Sequence, residues 1–416
     1  MFEKFKRKIQ PVINIYHLFK AAGANIVYSF PSRKLKLIGI TGTDGKTTTA
    51  FLIYQVLREL TGKASMISSV YAKIGEKEYT TGLHVTTPDA ILVQKFLRLA
   101  RKAKDEYFVL ETTSHALDQN RIWGNRFEVG VITNITHEHL DYHRTYENYI
   151  KAKVKLLFYS KNRLINADDS SSQILKHILQ SRKKKFYTYG LRNKANFNFN
   201  ISKELKLKLS LFNNYNYLAA FSVCRILGFS EAEILRVLEK AKLPAGRIET
   251  VYDGDFKVII DFAHTPNSIY RALEYIKTKV LKDGGKLIHV FGAAGLRDQM
   301  KRPMMGEASG KFSDVVILTE EDYRTEDPLK ICEEIAAGLR NKQFGYMESK
   351  ALDSDDRKVF SIIINREHAI KKAIQIAQKG DVVVLTGKSH EQSLARGKKE
   401  DPWDEKKAAL RALKKR

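Results

Sequence analysis

The feature that most restricts the fold of this chain is a glycine-rich segment between an apolar strand, Leu35–Thr41, and a helix, Thr47–Leu60. The backbone N–H groups of such a loop and the positive end of the helix dipole bind phosphate. Lys46 can neutralise the β- and γ-phosphates, and Thr47 can hold Mg²⁺. The segment therefore predicts nucleotide binding on an α/β sheet. The predicted nucleotide contacts are Gly42, Thr43, Asp44, Gly45, Lys46, Thr47 and Thr48.

Strands and helices alternate along the rest of the chain, which predicts α/β layers. We predict strands at Leu35–Thr41, Tyr107–Glu111, Val129–Thr133, Val258–Asp261, Lys286–Phe291, Val315–Thr319 and Val382–Thr386. We predict helices at Thr47–Leu60, Tyr146–Tyr159, Tyr215–Leu227, Glu231–Ala241, Asn267–Leu281, Pro328–Leu339 and Glu367–Gln378. Alternating apolar and polar residues over Phe197–Leu211 indicate strand structure. Ser230 is the expected N-cap of the helix Glu231–Ala241.

This pattern predicts a phosphate-loop domain with a mostly parallel sheet, followed by a Rossmann-like α/β domain. The expected divisions are a short basic segment at 1–33, a central ATP-binding domain at 34–243 and a C-terminal domain at 244–416.

Composition restricts the partners. The chain has 416 residues, is 43% hydrophobic and has two cysteines, so a disulfide framework is excluded and a cytoplasmic location is expected. Its net charge of +25 suits nucleic acid, an anionic membrane or a polyanionic small substrate. No nucleic-acid motif accompanies the charge, so no nucleic acid partner is expected. Val12–Phe30 is too polar to span a membrane. It predicts either an amphipathic surface helix or a helix docked on the next domain.

Several separate motifs, in the same order, extend the pattern of the phosphate loop. They are His84-Val85-Thr86-Thr87-Pro88, Glu111–Leu117, Asn134–His143, Asp261–Pro266 and Gly387–Glu391. Together with the loop they resemble the Mur ligase family over roughly Lys34 to Asp404. Within that family the resemblance is to the ligases that extend UDP-N-acetylmuramoyl dipeptide. It implies ATP-dependent addition of diaminopimelate or lysine through an acyl phosphate, in peptidoglycan precursor synthesis.

The same resemblance implies catalytic groups. It places Mg²⁺ at Thr47, Glu111 and His139, and it makes Lys46 and Lys153 catalytic, with Lys153 carbamylated and serving the metal site. Lys151 and Lys155 are rival positions for this lysine, because helical spacing alone does not decide between the three. A zinc site or a plain polar loop is the alternative explanation of the group His137, His139 and His143.

Contacts with the substrates also follow from the resemblance. The acceptor is expected at Thr86, Thr87, Ser114, Gln119 and Arg121. Adenine is expected near Asn213 and Asn216, and the ribose at Asp261, although a cap at the end of a strand is an alternative for that aspartate. The incoming amino acid is expected at Arg297, Arg324 and Glu391.

The rigid guanidinium of Arg324 suits a distal carboxylate and so favours diaminopimelate. Asp322 could instead attract the ammonium of lysine.

The resemblance does not extend to the N-terminus. The family has a UDP-binding domain before the loop, whereas about 33 residues precede Lys34. The basic segment is a candidate for contact with an anionic donor or a membrane, and a monomer is expected. A folylpolyglutamate synthase-like ligase shares the phosphate loop and the lysine, and a non-catalytic nucleotide-binding regulator is the other alternative. The motifs at Thr86–Pro88 and Gly387–Glu391 favour a Mur ligase.

Overall fold

The computed structural model describes residues 2–82, 86–136, 138–198, 211–353 and 355–416. The chain divides into two compact units, Met1–Pro244 and Ala245–Arg416. Three predicted features lie partly outside the described residues: the His84–Val85 part of one motif, His137 of another, and most of the predicted strand Phe197–Leu211. Phe197 itself forms an isolated parallel bridge with Tyr189.

The first unit is built on an eight-stranded sheet with the order β4-β3-β2-β5-β1-β6-β7-β8. Its strands are β1 Lys36–Thr41, β2 Ala64–Ile67, β3 Ala72–Ile74, β4 Lys77–Tyr79, β5 Tyr107–Glu111, β6 Phe127–Ile132, β7 Ser160–Asn166 and β8 Tyr187–Tyr189. The ladders from β2 to β8 are parallel, and β3 and β4 are added antiparallel at one edge. The central strands are continuous apolar runs because helices cover both faces of the sheet. The prediction of a mostly parallel sheet is confirmed.

Helices of the first unit flank this sheet. They are α1 Phe2–Val27, α2 Lys46–Thr61, α3 Ala90–Lys102, α4 Ser114–Asp118, α5 Leu140–His143, α6 Tyr146–Phe158, α7 Ser172–Ser181, α8 Leu211–Ile226 and α9 Glu231–Leu238. Ser230 caps α9 through a reciprocal capping box with Glu233, as the sequence predicted. That helix ends three residues earlier than expected, at Leu238, and α8 begins four residues earlier, at Leu211.

The second unit contains a seven-stranded sheet with the order β13-β14-β12-β11-β15-β10-β9 and a separate hairpin. The strands are β9 Glu249–Asp253, β10 Lys257–Asp261, β11 Leu287–Phe291, β12 Val315–Leu318, β13 Gly345–Tyr346, β14 Val359–Ile362, β15 Val382–Thr386, β16 Ser393–Arg396 and β17 Lys399–Pro402. Only β9 runs antiparallel within the larger sheet. The Rossmann-like prediction is confirmed.

Its helices are α10 Pro266–Tyr275, α11 Lys301–Gly310, α12 Pro328–Arg340, α13 Arg366–Ile376 and α14 Glu405–Lys414. The predicted continuous helix Asn267–Leu281 is wrong in detail, because α10 ends at Tyr275 and a π-helical turn, Ile276–Val280, follows it.

The N-terminal helix α1 is docked on the first unit, as one of the two predictions for this segment stated; the membrane contact stays a prediction. Ala21 and Ala24 pack against Ala90 of α3, and Asn25 Nδ2 donates to the carbonyl of Trp123 at 2.9 Å. Alanines allow the two helices to approach closely. Within the described residues, no helix is long and apolar enough to cross a membrane.

Candidate functional site

The phosphate loop between β1 and α2 is fixed by hydrogen bonds to two residues that directly follow β6, Thr133 and Asn134. The Asn134 side chain accepts the N–H of Asp44 at 2.9 Å and donates to the carbonyl of Asp44 at 3.0 Å. Thr133 Oγ1 also donates to that carbonyl, at 2.7 Å. A Cβ at Gly42 would lie 1.8 Å from Thr133 Oγ1, so glycine is required there for close approach. The loop is therefore a fixed cradle rather than a flexible turn.

Gly45 ends the loop and caps α2 with a φ of 80°, which favours glycine. A Cβ there would lie 2.3 Å from Asn216 Oδ1, which also accepts the hydroxyl of Thr49 at 3.3 Å. Asn216 Nδ2 donates to Asn213 Oδ1 at 3.2 Å. The structure thus brings both predicted adenine-side asparagines against the start of α2.

Lys46, the first residue of α2, folds back over the loop. Its Nζ donates to the carbonyl of Thr43 at 2.8 Å. Thr48 is buried on the same helix. The ammonium therefore lies at the N-terminus of α2, where backbone donors and the helix dipole already favour an anion.

A buried cluster of oxygen atoms lies beside the loop at the carboxyl end of β5. Thr47 Oγ1 donates to Glu111 Oε1 at 3.0 Å, and the N–H of Ser69 donates to Glu111 Oε2 at 2.9 Å. The hydroxyls of Thr47 and Ser69 are 2.9 Å apart. A hydroxyl beside a carboxylate is a donor set that Mg²⁺ prefers, so these residues fit the ion. Ser69 was not among the predicted site residues, although its position two residues after the end of β2 could have suggested it.

Of the three candidate lysines on α6, only Lys153 lies under the loop. Its Nζ donates to the carbonyl of Gly42 at 2.6 Å and lies 4.4 Å from the ring centroid of Tyr149. Burial, followed by the nearby charge of Lys46, lowers the pKa of Lys153 well below its ordinary value. Lys151 is exposed, and Lys155 is half-exposed beside Asp118 at 3.7 Å.

Histidine and tyrosine rings form a cluster around the start of α5. His139 caps this helix with a φ of 57°, and its ring centroid is 4.9 Å from that of His115. His143 Nε2 lies 2.9 Å from Ser114 Oγ, and burial lowers the pKa of His143 to about 4. His137 is outside the described residues. In the part of the chain that is described, no three His, Cys, Asp or Glu side chains are grouped to hold a metal ion.

Two of the predicted acceptor residues meet next to β5. Thr87 Oγ1 donates to the carbonyl of Glu111 at 3.0 Å and accepts the N–H of Thr113 at 2.9 Å. Arg121 Nη1 donates to the carbonyl of Thr87 at 3.4 Å, and burial lowers the pKa of Arg121. Thr86 directly precedes Thr87 in the sequence and is partly buried. Thr87 and Arg121 therefore form a polar cluster beside Glu111, at the end of strand β5.

Gln119 belongs to a second polar group centred on Tyr142. Gln119 Nε2 donates to the Tyr142 hydroxyl at 3.3 Å, and this hydroxyl donates to Asp118 Oδ2 at 2.9 Å. Burial, and then the charge of Asp118, raises the pKa of Tyr142. Gln10 of α1 also donates to the Tyr142 hydroxyl, at 3.0 Å. Neither Tyr142 nor Asp118 was among the predicted site residues, because their pairing joins two short helices, α4 and α5, and the two residues are 24 positions apart in the sequence.

The remaining predicted residues lie in the second unit. Asp261, at the end of β10, accepts the N–H groups of Ile248 and Ala263, each at 2.8 Å. This is the cap geometry that sequence analysis gave as the alternative, and the ribose role stays a prediction. Arg297 is exposed in the loop after β11.

Arg324 follows β12 with a φ of 53°. Its Nη1 donates to the carbonyl of Gly295 at 2.8 Å and to that of Asp322 at 3.3 Å. These two contacts hold the guanidinium group in place, and its contact with a substrate carboxylate stays a prediction.

A fully buried lysine, Lys388, joins two residues of the predicted amino-acid pocket. Its Nζ donates to Asp322 Oδ1 at 2.8 Å and to Glu391 Oε2 at 2.6 Å. Burial alone would lower the pKa of Lys388, but the charges of Glu391 and Asp322 raise it above its ordinary value. Asp322 Oδ1 also accepts the N–H of Ala395 at 3.0 Å. Asp322 is thus engaged within the protein, which weakens the argument that it attracts lysine.

Glu321 lies next to this ion pair and is also buried. Its Oε2 has no hydrogen-bond partner among the described residues, and a Cβ at Gly387 would lie 2.6 Å from that oxygen. Burial, and then the charge of Asp322, raises the pKa of Glu321 to about 7. Burial therefore favours the protonated carboxyl group over the carboxylate at this position.

Two family descriptions match the chain. Residues 40–224 match the Mur ligase middle domain, and residues 246–389 match the Mur ligase, glutamate ligase domain. The chain belongs to the Mur ligase family. Mur ligases form amide bonds with ATP, so the chain is an ATP-dependent ligase.

Relatives support this assignment over nearly the whole chain. A UDP-N-acetylmuramoyl-L-alanyl-D-glutamate–2,6-diaminopimelate ligase of Aquifex aeolicus (strain VF5) is 39% identical, over 92% of this chain and 78% of that protein. A ligase of the same name from Clostridium acetobutylicum is 35% identical, over 94% and 80%.

Solved structures agree with this Mur ligase fold. A diaminopimelate ligase of the same description has a TM-score of 0.58 at 28% identity, over 92% of this chain and 78% of that chain. A bifunctional folylpolyglutamate synthase/dihydrofolate synthase has a TM-score of 0.65 at 17% identity, over 90% and 91%. At that identity the second similarity shows the fold alone.

Proposed function

We propose that this Mur ligase adds 2,6-diaminopimelate to a UDP-N-acetylmuramoyl-L-alanyl-D-glutamate acceptor, in peptidoglycan precursor synthesis. The observation that carries the proposal is the 39% identity, over 92% of the chain, with a ligase named for that reaction. Arg324, whose guanidinium is oriented by the carbonyl of Gly295, supports a substrate with a distal carboxylate. Lysine is the second candidate, and the pairing of Asp322 with Lys388 makes it the weaker one.

The proposed reaction has two steps. An acceptor carboxylate oxygen bonds to the γ-phosphorus of ATP while the bond to the bridging oxygen breaks and ADP leaves. The amine then attacks the carbonyl carbon of the acyl phosphate, the C–O bond breaks, phosphate leaves, and the amine loses a proton. Lys46 and the N–H groups of the loop stabilise the charge that moves during phosphoryl transfer.

Thr47 and Glu111 would hold Mg²⁺, with His139 as a further predicted ligand, and the ion would neutralise phosphate charge. The 3.0 Å bond between Thr47 and Glu111 holds both side chains on one side of the loop. Asn213 and Asn216 are proposed to lie near adenine, and Asp261 is proposed to bind the ribose. Thr86, Thr87, Ser114, Gln119 and Arg121 are proposed to bind the acceptor.

We propose that Lys153 is carbamylated. Its neutral amine attacks CO₂, an N–C bond forms, and one proton is released. Burial favours the neutral amine that this chemistry needs, and the bond to Gly42 places the group under the phosphate loop. The resulting anion would add a second carboxylate-like group to the Mg²⁺ site.

A cytoplasmic monomer that touches the membrane through its basic N-terminal segment completes the proposal. The first 36 residues contain eight lysines and arginines and one glutamate, which is the charge such a contact needs.

Phosphate release tests the function. Purified protein with ATP and Mg²⁺ is given UDP-N-acetylmuramoyl-L-alanyl-D-glutamate together with diaminopimelate, lysine or no amino acid. Phosphate release that requires both acceptor and diaminopimelate, with a product of the expected mass, supports the proposal. Turnover with a folate acceptor and glutamate, and none with the muramoyl dipeptide, would establish the folylpolyglutamate alternative instead.

A further inference from the structure

Three polar side chains of the N-terminal helix α1 face the protein. Gln10 Nε2 donates to the Tyr142 hydroxyl at 3.0 Å, and Asn14 Nδ2 donates to Asp118 Oδ2 at 3.2 Å. Asn25, which is fully buried, donates to the carbonyl of Trp123. At 100° per residue these three side chains lie within about 60° of one another on the helix. This face is therefore committed to the first unit.

The opposite face of α1 carries large apolar side chains that are exposed. We name this set the apolar stripe. Each member is between 53% and 72% exposed. At 100° per residue the members fall within an arc of about 120°, and they extend for about 22 Å along the helix. The stripe consists of Val12, Ile15, Tyr16, Phe19, Ile26 and Val27.

This arrangement is the reverse of an ordinary surface helix, whose apolar face packs inward. Single exposed apolar residues are normal, but a continuous row of six indicates a binding face. We propose that the apolar stripe of α1 inserts into the surface of an anionic lipid bilayer. The proposal develops the membrane contact of the N-terminal segment and does not depend on ligase activity, so the two can fail separately.

Charge selects a lipid surface over a second copy of the chain. The first 36 residues carry eight basic side chains and one acidic side chain, a net charge of +7. Arg33 and Lys34 are exposed just after α1, and Arg98 of α3 lies with its guanidinium 6.0 Å from the ring centroid of Tyr28. Two such faces would bring like charges together, whereas an anionic bilayer offers both apolar contact and opposite charge.

Aromatic side chains at this face suit the interface between lipid headgroups and acyl chains. Tyr16 and Phe19 belong to the stripe and are 62% and 72% exposed. Such rings bury their apolar part while polar atoms stay near water. Because the polar bonds of α1 use its other face, lipid binding leaves those contacts unchanged.

Vesicle flotation tests the proposal with the full chain. The vesicles contain phosphatidylcholine with about 30 mol% phosphatidylglycerol, or phosphatidylcholine alone. The test variant is Ile15→Gln/Phe19→Gln/Ile26→Gln. The matched control, Ile174→Gln/Leu329→Gln/Leu410→Gln, removes three exposed apolar side chains from other helices. Thermal unfolding of each variant verifies that it is folded.

We expect wild type and control to float with the anionic vesicles, and the stripe variant to bind at least about tenfold more weakly. Binding to phosphatidylcholine alone should be weaker, since charge contributes. No flotation of wild type, or equal flotation of the stripe variant, overturns the proposal. Sedimentation without lipid provides the other decisive result. A wild-type dimer that the stripe substitutions convert to monomer would show that a second copy, not lipid, covers the stripe.

Discussion

Each unit of this Mur ligase has an almost fully buried lysine beside its predicted site, Lys153 in the first and Lys388 in the second, and these two lysines differ in their partners. Lys153 of the first unit donates to the carbonyl of Gly42, whereas Lys388 of the second donates to the carboxylates of Asp322 and Glu391. Burial lowers the pKa of Lys153, while the two carboxylates raise that of Lys388. The first lysine is thus suited to chemistry on a neutral amine, and the second is a fixed structural cation.

The comparison predicts its largest effect at Lys153. Lys153→Ala should lower ligase turnover by at least about 10³-fold, because it removes the proposed carbamate from the metal site. Steady-state phosphate release measures this, with the exposed Lys151→Ala as the matched control on the same helix. Added formate or acetate should partly restore the variant, and removal of bicarbonate should slow wild type. Normal turnover of the variant, or a failure of both small acids to rescue it, would reject the carbamate.

Lys46→Ala should lower turnover by about 10²-fold at saturating ATP, since charge on the transferred phosphoryl group develops beside this ammonium. Lys63→Ala, which removes an exposed lysine just beyond the other end of α2, is the control. An unchanged turnover for Lys46→Ala would show that the loop does not serve phosphoryl transfer.

Lys388→Met should destabilise the protein by about 3–5 kcal/mol, because it leaves two carboxylates buried without their cation. The fixed-cation role predicts that Lys388→Met/Asp322→Asn/Glu391→Gln recovers much of this loss. In contrast, Lys153→Met should cost little stability, since burial already disfavours that charge. Urea unfolding of all three variants measures the difference. Equal destabilisation by the two single substitutions would contradict the distinction between the lysines.

The raised pKa of Glu321, which lies next to the Lys388 ion pairs, predicts that the stability of the protein depends on pH. This pKa is raised from 4.5 to about 7, so the folded state holds a proton that the unfolded state releases. Stability should therefore fall as the pH rises from about 4.5 to about 7, by up to about 3 kcal/mol. Glu321→Gln should remove this fall in urea unfolding, and Glu348→Gln, at an exposed position, should keep it. A Glu321→Gln variant with the pH profile of wild type would exclude Glu321 as its source.

The two regions also differ in how far the sequence predicted them. The phosphate loop was predictable because its residues are contiguous and their roles follow from a strand, a glycine turn and a helix. For the lysine, the resemblance pointed to one of three positions on the same helix. Packing of that helix places Lys153 under the loop and leaves Lys151 exposed. By contrast, Asp322 and Lys388 are 66 residues apart and meet only because β12 and β15 belong to one sheet. Ser69 and Tyr142 were missed for a similar reason, since each pairs with residues that are far away in the sequence.

The smallest expected effect on activity concerns Arg324, which we expect to select the incoming amino acid. Its backbone contacts with Gly295 and Asp322 orient the guanidinium, while Lys388 keeps Asp322 from competing for an ammonium group. Wild type should therefore prefer diaminopimelate to lysine, and Arg324→Ala should raise KM for diaminopimelate about tenfold while leaving kcat nearly unchanged. Arg340→Ala, at an exposed arginine of α12, is the control. A wild-type preference for lysine, or an intact preference for diaminopimelate in Arg324→Ala, would show that selection lies elsewhere, with Glu321 and Glu391 the next residues to test.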